Sequence, residues 1–206
     1  MMKVRAIIPV KSFHKGKGRL STVLGVDERN ALNIELLDHM LSVTAAFPGA
    51  SRTIVISPDQ VVLDRAEAAG TQSLPDLEGD LNAALNFAAG HAADNGADGI
   101  LIVPVDLPRS RPRDLQALAS CQHGVAIAPD RRGIGTNALY VAPPDALPFR
   151  FGGESFQAHL AGAQEAGLNV ELLNLPNLAF DIDTPDDYRE WRRQKATLSA
   201  KGDCPN

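Results

Sequence analysis

Three aspartates, Asp106, Asp181 and Asp183, are the strongest candidates for chemistry in this sequence. Asp181 and Asp183 are separated by one residue in a segment that we expect to be extended, so their side chains point the same way, roughly 6.6 Å apart along the chain. Two carboxylates held there repel by about 2 kcal/mol at an effective dielectric of about 20, which calls for a cation between them. Hard oxygen ligands favour magnesium. With Asp106 added, the pattern predicts a metal site of three acids.

A basic, glycine-containing loop follows the first apolar run. Its cations include Lys11, Lys17 and Arg19, and the first 26 residues contain no acid. Glycines let backbone N–H groups approach a phosphate, while lysine and arginine neutralise its charge. The loop has neither the Walker spacing nor the G-x-G-x-x-G fingerprint, so only general phosphate chemistry is indicated. A solvated basic loop without a ligand is the alternative.

Two further glycine-containing segments could receive an anion. Thr136 offers a hydroxyl where residues 130–135 run into a strand, and Gly152 and Ser155 precede or begin a helix whose N-terminus would attract negative charge. The alternatives are a plain tight connection at Thr136 and a simple helix cap at Ser155. His159, one turn further on, is more typical of a packed or exposed side chain than of a catalytic one.

The composition of the chain argues against two classes of protein, those that bind nucleic acids in general and those that span a membrane. The chain has 206 residues, 44% of them hydrophobic, and a net charge of -5, which argues against general nucleic-acid binding. No run approaches the ~20 apolar residues of a membrane helix, and the start leads into a strand pattern and not a signal peptide, so we expect a soluble cytoplasmic protein without a membrane partner. Cys121 and Cys204 lie far apart, so we expect ordinary thiols.

Strand-like and helix-like segments alternate along the chain, which is typical of βαβ units and a largely parallel sheet. We expect one domain over residues 1–198 and a disordered tail over 199–206. Asp106 should lie just past the carboxyl end of a central strand, where open α/β sheets bind ligands, although it could merely cap a turn. The predicted strands are 3–10, 53–57, 71–74, 100–105, 124–128, 137–142, 169–174 and 178–181. The predicted helices are 28–47 with Asp27 as N-cap, 59–69, 80–93, 113–120, 154–166 and one opening at Thr184-Pro185.

The order of short motifs along the chain resembles the CofC/FbiD family of guanylyltransferases of deazaflavin coenzyme F-420 biosynthesis. The matching stretches are Pro9-Val10-Lys11, Gly18-Arg19-Leu20-Ser21, Gly79-Asp80-Leu81-Asn82-Ala83-Ala84-Leu85, Asp106-Leu107-Pro108, Gly133-Ile134-Gly135-Thr136-Asn137-Ala138-Leu139, Phe151-Gly152-Gly153-Glu154-Ser155 and Asp181-Ile182-Asp183-Thr184-Pro185. Each motif is weak alone, but together they cover nearly the whole chain. One departure is Gly16-Lys17-Gly18, where the family pattern leads us to expect a run similar to Ala-Lys-Thr.

The resemblance implies a single nucleotidyltransferase-like, Rossmann-related domain with a mostly parallel, mixed sheet flanked by helices. It also implies that GTP and a phosphorylated three-carbon acid give a guanosine diphospho-acid and pyrophosphate, with Mg²⁺ as cofactor. The implied metal ligands are Asp106, Asp181 and Asp183, and the implied acid-substrate contacts are Thr136, Gly152 and Ser155. The implied nucleotide contacts are Lys11, Lys17, Arg19, Gly79, Asp80 and Asn82, with Lys17, Arg19 and Asp106 in the catalytic roles.

Two other readings stay open at this point. A sugar-phosphate nucleotidyltransferase or glycosyltransferase of similar architecture would use the same carboxylates with another acceptor. A non-catalytic nucleotide-binding regulator would have a degenerate site. The acid could be 2-phospholactate, phosphoenolpyruvate or 3-phosphoglycerate. The number of metal ions and the oligomeric state, a homodimer included, are also open. For Arg109, Arg111 and Arg113 we favour simple surface charge.

Overall fold

A seven-stranded mixed sheet forms the centre of the protein. The computed structural model describes residues 2–13, 17–77, 79–121 and 123–200, without the side chains of 198–200. The strands are β1 (Val4–Pro9), β2 (Thr53–Ser57), β3 (Gln72–Pro75), β4 (Gly99–Ile102), β5 (Gly124–Pro129), β6 (Thr136–Ala142) and β7 (Val170–Leu172). The helices are α1 (Val26–Thr44), α2 (Gln60–Ala68), α3 (Leu81–Asp94), α4 (Pro112–Leu118), α5 (Ser155–Glu165) and α6 (Pro185–Ala200).

One strand of the sheet runs against all the others. The strand order is β3-β2-β1-β4-β6-β5-β7, and β6 is antiparallel to both of its neighbours, while the remaining pairs are parallel. Ile102 at the end of β4 pairs with Leu139 of β6. The first residues of β6 therefore lie at the same edge of the sheet as the segment that follows β4.

Helices cover both faces of the sheet because the strands are apolar on both sides. Ile8 packs with α1, α2 and α4, and its neighbour Ile7 packs with α3 and α5 on the opposite face. Both isoleucines are fully buried, which is typical of central strands in a parallel sheet. A third, smaller cluster joins α1 and α6 through Leu20, Phe180 and Ile182. This cluster anchors two of the segments that carry candidate site residues.

Most predicted elements are confirmed, with shifts of a few residues at their ends, and the fold class is confirmed. The predicted strand over 178–181 is wrong: Leu178 and Ala179 form a turn, and both donate their N–H groups to Leu175 O, at 2.9 Å each. The strand predicted to reach residue 105 ends at Ile102. The predicted tail, 199–206, lies outside the described residues, apart from the first two, which complete α6.

The predicted bounds of the first long helix need two corrections. Gly25 is its N-cap, not Asp27, and the Glu28 carboxylate accepts the Gly25 N–H at 2.7 Å. The helix leaves regular geometry before Phe47, whose φ of -161° and ψ of 127° are extended. The cause is Pro48, since proline disfavours the helical conformation of the residue before it.

None of the helices in the described ranges is long and apolar enough to cross a membrane.

Candidate active site

Asp106 lies in the turn that follows β4, at the carboxyl edge of the parallel strands. Val103 extends the pairing by one bond, donating its N–H to Ile7 O at 3.1 Å. The Asp106 carbonyl then accepts the N–H of Ile182 at 3.0 Å. This backbone bond brings the segment that contains Asp181 and Asp183 alongside Asp106, as the sequence predicts.

Lys17 reaches into this group of acids. Its Nζ lies 2.9 Å from Asp106 Oδ2 and 3.5 Å from Asp183 Oδ1, and it also donates to the Ile182 carbonyl. The Lys17 side chain is only 8% exposed. Its ammonium therefore neutralises charge contributed by two separate segments of the chain.

The backbone at Lys17 has a left-handed conformation, with φ 54° and ψ 37°. A residue other than glycine pays roughly 1–2 kcal/mol for this conformation. Two interactions hold it: Leu20 donates its N–H to Lys17 O at 2.9 Å, and the Leu20 side chain is fully buried. The short 3-10 helix Gly18–Thr22 thus fixes where the Lys17 side chain leaves the backbone.

Asp181 lies in an environment that disfavours its negative charge. Burial raises its pKa above the ordinary value, and the negative charges of Asp106 and Asp183 raise it further. The Asn137 amide opposes the shift, since its Nδ2 lies 3.3 Å from Asp181 Oδ1 and also donates to Leu178 O at 2.8 Å. The three carboxylates are thus close enough to repel one another, as the sequence predicts.

Asp183 is more exposed than Asp106 and faces a second cation. Its side chain is 46% exposed, and its Oδ2 lies 3.5 Å from Arg19, which is 77% exposed. Its backbone N–H donates to Asp187 Oδ2 at 3.1 Å. Asp187 also accepts from the Thr184 N–H at 2.7 Å, so the start of α6 orients the acid segment.

Two arginines, Arg109 and Arg131, pack against Phe180, the residue that precedes Asp181. The Arg109 guanidinium lies 3.4 Å from the centroid of the Phe180 ring, and Arg131 lies 5.1 Å from it. Both arginines also pair with Glu190, at 2.6 Å and 3.3 Å. Arg109 therefore holds the Phe180 segment in place, and the expectation of simple surface charge is wrong for this residue.

The predicted acid-substrate residues come together on the other side of β6. The Thr136 N–H donates to Ser155 Oγ at 2.9 Å, and both residues are buried. Gly152 belongs to the loop before α5, where its φ of 137° is a conformation that side chains rarely adopt. Thr136 Oγ1 lies 2.9 Å from Nδ1 of His159, which is fully buried.

The predicted nucleotide residues 79–82 lie at the start of α3. Asp80 is the N-cap and accepts the Ala83 N–H at 2.9 Å, and the Gly79 N–H donates to Asp76 Oδ1 at 3.0 Å. Asn82 bonds both backbone groups of Phe151: its Nδ2 donates to the carbonyl at 3.0 Å and its Oδ1 accepts the N–H at 2.7 Å. Asn82 thus ties α3 to the loop that carries Gly152.

An open cavity of about 230 Å³ is lined by residues that lie before and after 79–82 in the chain. It is lined mainly by apolar groups, and its lining residues are Ile56, Pro75, Asp76, Leu77, Ala83, Ala84 and Phe87.

Lys11 is exposed in the chain that follows β1. Gly16, where the sequence departs from the family pattern, lies outside the described residues.

Two polar side chains in this region were not predicted as site residues, namely Asn137 and His159. Asn137 follows Thr136 on β6 at a shift in the pairing with β5, and its amide contacts Leu178 and Asp181 while the Thr136 hydroxyl contacts His159 on α5. The sequence signal that could have indicated Asn137 is its place beside Thr136 in the motif that runs from Gly133 to Leu139. His159 was expected to be packed or exposed, and its burial agrees with the former.

In the structure, two of the three predicted metal ligands are paired with a lysine. Among the described residues, no three histidine, cysteine, aspartate or glutamate side chains form a group that could hold a metal ion. The Lys17 ammonium lies against Asp106 and Asp183. The donor chemistry and the mutual repulsion at Asp181 still suit a hard cation.

Comparisons with known proteins agree with the fold and with this arrangement of motifs. The family model described as guanylyl transferase CofC like matches residues 4–192. A protein of Sphaerobacter thermophilus named phosphoenolpyruvate guanylyltransferase is 40% identical over 191 residues, covering 92% of each chain. Among solved structures, a candidate nucleotide-diphospho-sugar transferase from Desulfovibrio desulfuricans G20 superposes with a TM-score of 0.76 at 22% identity, covering 94% of this chain and 88% of the other. A nucleotidyl transferase from Methanothermobacter thermautotroptrophicus superposes with a TM-score of 0.64 at 18% identity, covering 93% and 97%.

Proposed function

This chain belongs to the guanylyl transferase CofC-like family, and we propose that it transfers GMP from GTP to a phosphorylated three-carbon acid, releasing pyrophosphate. The observation that carries the proposal is the position of Thr136 and Asn137. These neighbours on β6 contact, respectively, the buried hydroxyl of Ser155 and the carboxylate of Asp181. The hydroxyl groups that could donate to an anion are thus reached from Thr136, and the acid cluster is reached from Asn137, the next residue along β6.

The acceptor in the name of the Sphaerobacter relative is phosphoenolpyruvate, which makes it the first acid to test. The other two are 2-phospholactate and 3-phosphoglycerate. Thr136, Gly152 and Ser155 would bind the acid, because buried hydroxyls and a glycine backbone can donate to an oxyanion. The product would serve coenzyme F-420 biosynthesis, as the family resemblance implies.

In the reaction, an oxygen of the acceptor phosphate attacks the α-phosphorus of GTP in line. A new P–O bond forms there, and the bond to the β-phosphate oxygen breaks, so pyrophosphate leaves with the bonding electrons. The attacking phosphate is already anionic near pH 7, so no general base is required. The chain supplies positioning and charge neutralisation.

Lys17 and Arg19 would neutralise the triphosphate, because their cationic groups lie beside the acid cluster. Arg19 belongs to the 3-10 helix Gly18–Thr22, and Lys17 is the N-cap of that helix. Lys11 would extend this positive surface along the chain after β1. The segment with Gly79, Asp80 and Asn82 would lie near the base, which the adjoining apolar cavity of about 230 Å³ could receive. Asp76 in its lining provides a carboxylate that could accept from guanine N–H groups.

Asp106, Asp181 and Asp183 would hold Mg²⁺ or a similar divalent cation. Their carboxylate oxygens are the ligands that such ions prefer, and added positive charge would relieve the repulsion that raises the pKa of Asp181. When bound, the ion would neutralise phosphate charge and polarise the α-phosphoryl group. The Lys17 ammonium contacts two of these carboxylates, so Lys17 and the ion compete for the same oxygens.

The proposal is tested by incubating the full chain with GTP, MgCl₂ and each of the three acids, and by identifying products by mass. A guanosine diphospho-acid formed with one pyrophosphate per turnover supports it. ATP, CTP and UTP in parallel test the choice of base. A sugar nucleotide formed from sugar phosphates, a glycoside, or GTP binding without turnover would each contradict it.

A further inference from the structure

The imidazole of His159 is held in one protonation form by its surroundings. His159 lies on α5, is fully buried, and its Nε2 lies 3.0 Å from the backbone nitrogen of Arg150. A backbone N–H can only donate, so Nε2 must be the acceptor. A neutral imidazole has one donor and one acceptor nitrogen, so Nδ1 carries the hydrogen.

That hydrogen points to a predicted substrate residue. His159 Nδ1 lies 2.9 Å from Thr136 Oγ1, so the imidazole donates and the threonine hydroxyl accepts. The Thr136 N–H in turn donates to Ser155 Oγ at 2.9 Å. Each hydroxyl oxygen thus receives one hydrogen bond from the protein. Each keeps its own O–H hydrogen to donate elsewhere.

The environment keeps the imidazole neutral. Burial and, to a smaller extent, the positive charge of Arg150 together lower the pKa of His159 to about 4. The Phe151 ring meets the imidazole edge to face, with 4.7 Å between ring centroids. A charged imidazole would also set an N–H against the Arg150 N–H, so the same contact selects the neutral form.

We propose that His159 is a positioning residue for acceptor binding: it donates to Thr136 and thereby sets the Thr136 and Ser155 hydroxyls as paired donors to an oxyanion of the acid acceptor. This inference rests on the proposed function for the identity of the acceptor. An anion needs donors only, and a hydroxyl free to turn its lone pairs outward would repel it. His159 removes that freedom at Thr136, and the Thr136 N–H occupies a lone pair of Ser155.

Two amide substitutions separate this role from a structural one. In His159→Asn, the side-chain NH₂ takes the place of Nδ1–H and can still donate to Thr136, but the Arg150 N–H loses its acceptor. In His159→Gln, the carbonyl takes the place of Nε2 and can accept from Arg150, but the donor to Thr136 is lost. The two variants remove opposite halves of the same network.

We measure KM for phosphoenolpyruvate, KM for GTP and kcat for wild type, both His159 variants and Thr136→Val. Thr136→Val removes a donor to the oxyanion and His159→Gln leaves that donor unoriented, so KM for phosphoenolpyruvate should rise roughly tenfold in both variants. His159→Asn should stay within about threefold of wild type, and KM for GTP should hardly change in any variant. Equal effects in both His159 variants, or an unchanged acceptor KM in His159→Gln, would overturn the inference.

A second measurement does not depend on turnover or on the variants. Nitrogen NMR of the imidazole in wild type should show the Nδ1–H form at pH 7, and phosphoenolpyruvate should shift that resonance. An Nε2–H or charged imidazole, or no response to phosphoenolpyruvate, would overturn the inference. A wild type that binds phosphoenolpyruvate at His159 but forms no product would contradict the proposed function and leave the positioning role supported.

Discussion

The Nζ atom of Lys17 lies 2.9 Å from Asp106 Oδ2, which places a nearly buried cation against the acid that follows β4. Lys17 belongs to a loop near the start of the chain, and Asp106 belongs to the turn that follows β4. Each side chain is fixed by its own backbone anchor, Leu20 in one case and the bond from Ile182 to Asp106 in the other. The pair therefore couples the loop to the sheet edge.

Replacing Lys17 by methionine should reduce kcat by roughly 100-fold or more, because a positioned cation facing transferred phosphates is lost. The same variant should bind Mg²⁺ more tightly than wild type, since the ammonium no longer competes for the carboxylates. Steady-state kinetics and calorimetric metal titration check the two effects. Lys195→Met, which removes an exposed lysine paired with Glu35, is the matched control and should change neither. Weaker metal binding in Lys17→Met would refute the competition.

Asp183→Asn should abolish pyrophosphate release from GTP while leaving the fold intact. The substitution keeps the shape of a half-exposed side chain but removes a charge next to Lys17 and Arg19. Asp186→Asn is the matched control, because Asp186 is 90% exposed and pairs only with Arg189 among the described contacts. Pyrophosphate release and the melting temperature are measured for both variants. Near-normal turnover in Asp183→Asn would remove this residue from the site.

Asn82→Ala should raise KM for the acid acceptor several-fold and cost roughly 1–2 kcal/mol of stability, because both backbone groups of Phe151 lose their partner. The loop with Gly152 would then be held less firmly. Asn82→Asp keeps the acceptor for the Phe151 N–H but sets a carboxylate oxygen against the Phe151 carbonyl, so its effect should be no smaller. Kinetics against both substrates decide between two roles for Asn82. A rise in KM for GTP alone would make it a nucleotide contact instead.

Acid should destabilise the protein through His159. Its pKa is about 4 in the folded state and 6.5 when exposed, so between these values the unfolded chain binds more protons. Stability due to this group is therefore present above pH 6.5 and is lost towards pH 4, by about 3 kcal/mol. Urea unfolding at pH 7, 5.5 and 4 should show this loss in wild type and not in His159→Asn. The raised pKa of Asp181 acts in the opposite direction but cancels between the two proteins. Parallel pH profiles would contradict the assignment.

The sequence predicts the elements and the acid cluster well, because both depend on local patterns. The apolar runs predict where the strands lie. Asp181 and Asp183 are separated by one residue, so their proximity can be predicted from the sequence alone. The strand predicted over 178–181 is wrong because Leu178 and Phe180 are buried by tertiary packing, in a turn and beneath two arginines, and not by pairing with another strand.

Tertiary contacts are what the sequence could not supply. Nothing local indicates that Lys17 meets Asp106, since the partners are far apart in the chain and the loop conformation depends on a left-handed residue. The family motif predicts Asn82 near the nucleotide, but its side-chain amide forms hydrogen bonds with the backbone of Phe151. His159 looks like an ordinary core residue until the acceptor at Nε2 and the donor at Nδ1 are both known.

The reversed direction of β6 has a consequence for how this site can change. Thr136 and Asn137 face opposite sides of one strand, so the acceptor side and the acid side have separate sets of supporting residues. Substitutions on the α5 side can alter which acid is accepted without touching the carboxylates. The pairing of β6 with β5 already shifts by one residue at Asn137, and a further one-residue insertion after it would exchange the two faces and destroy both. Natural or engineered variation in acceptor choice should therefore concentrate on α5 and the loop before it, while the length of β6 stays fixed.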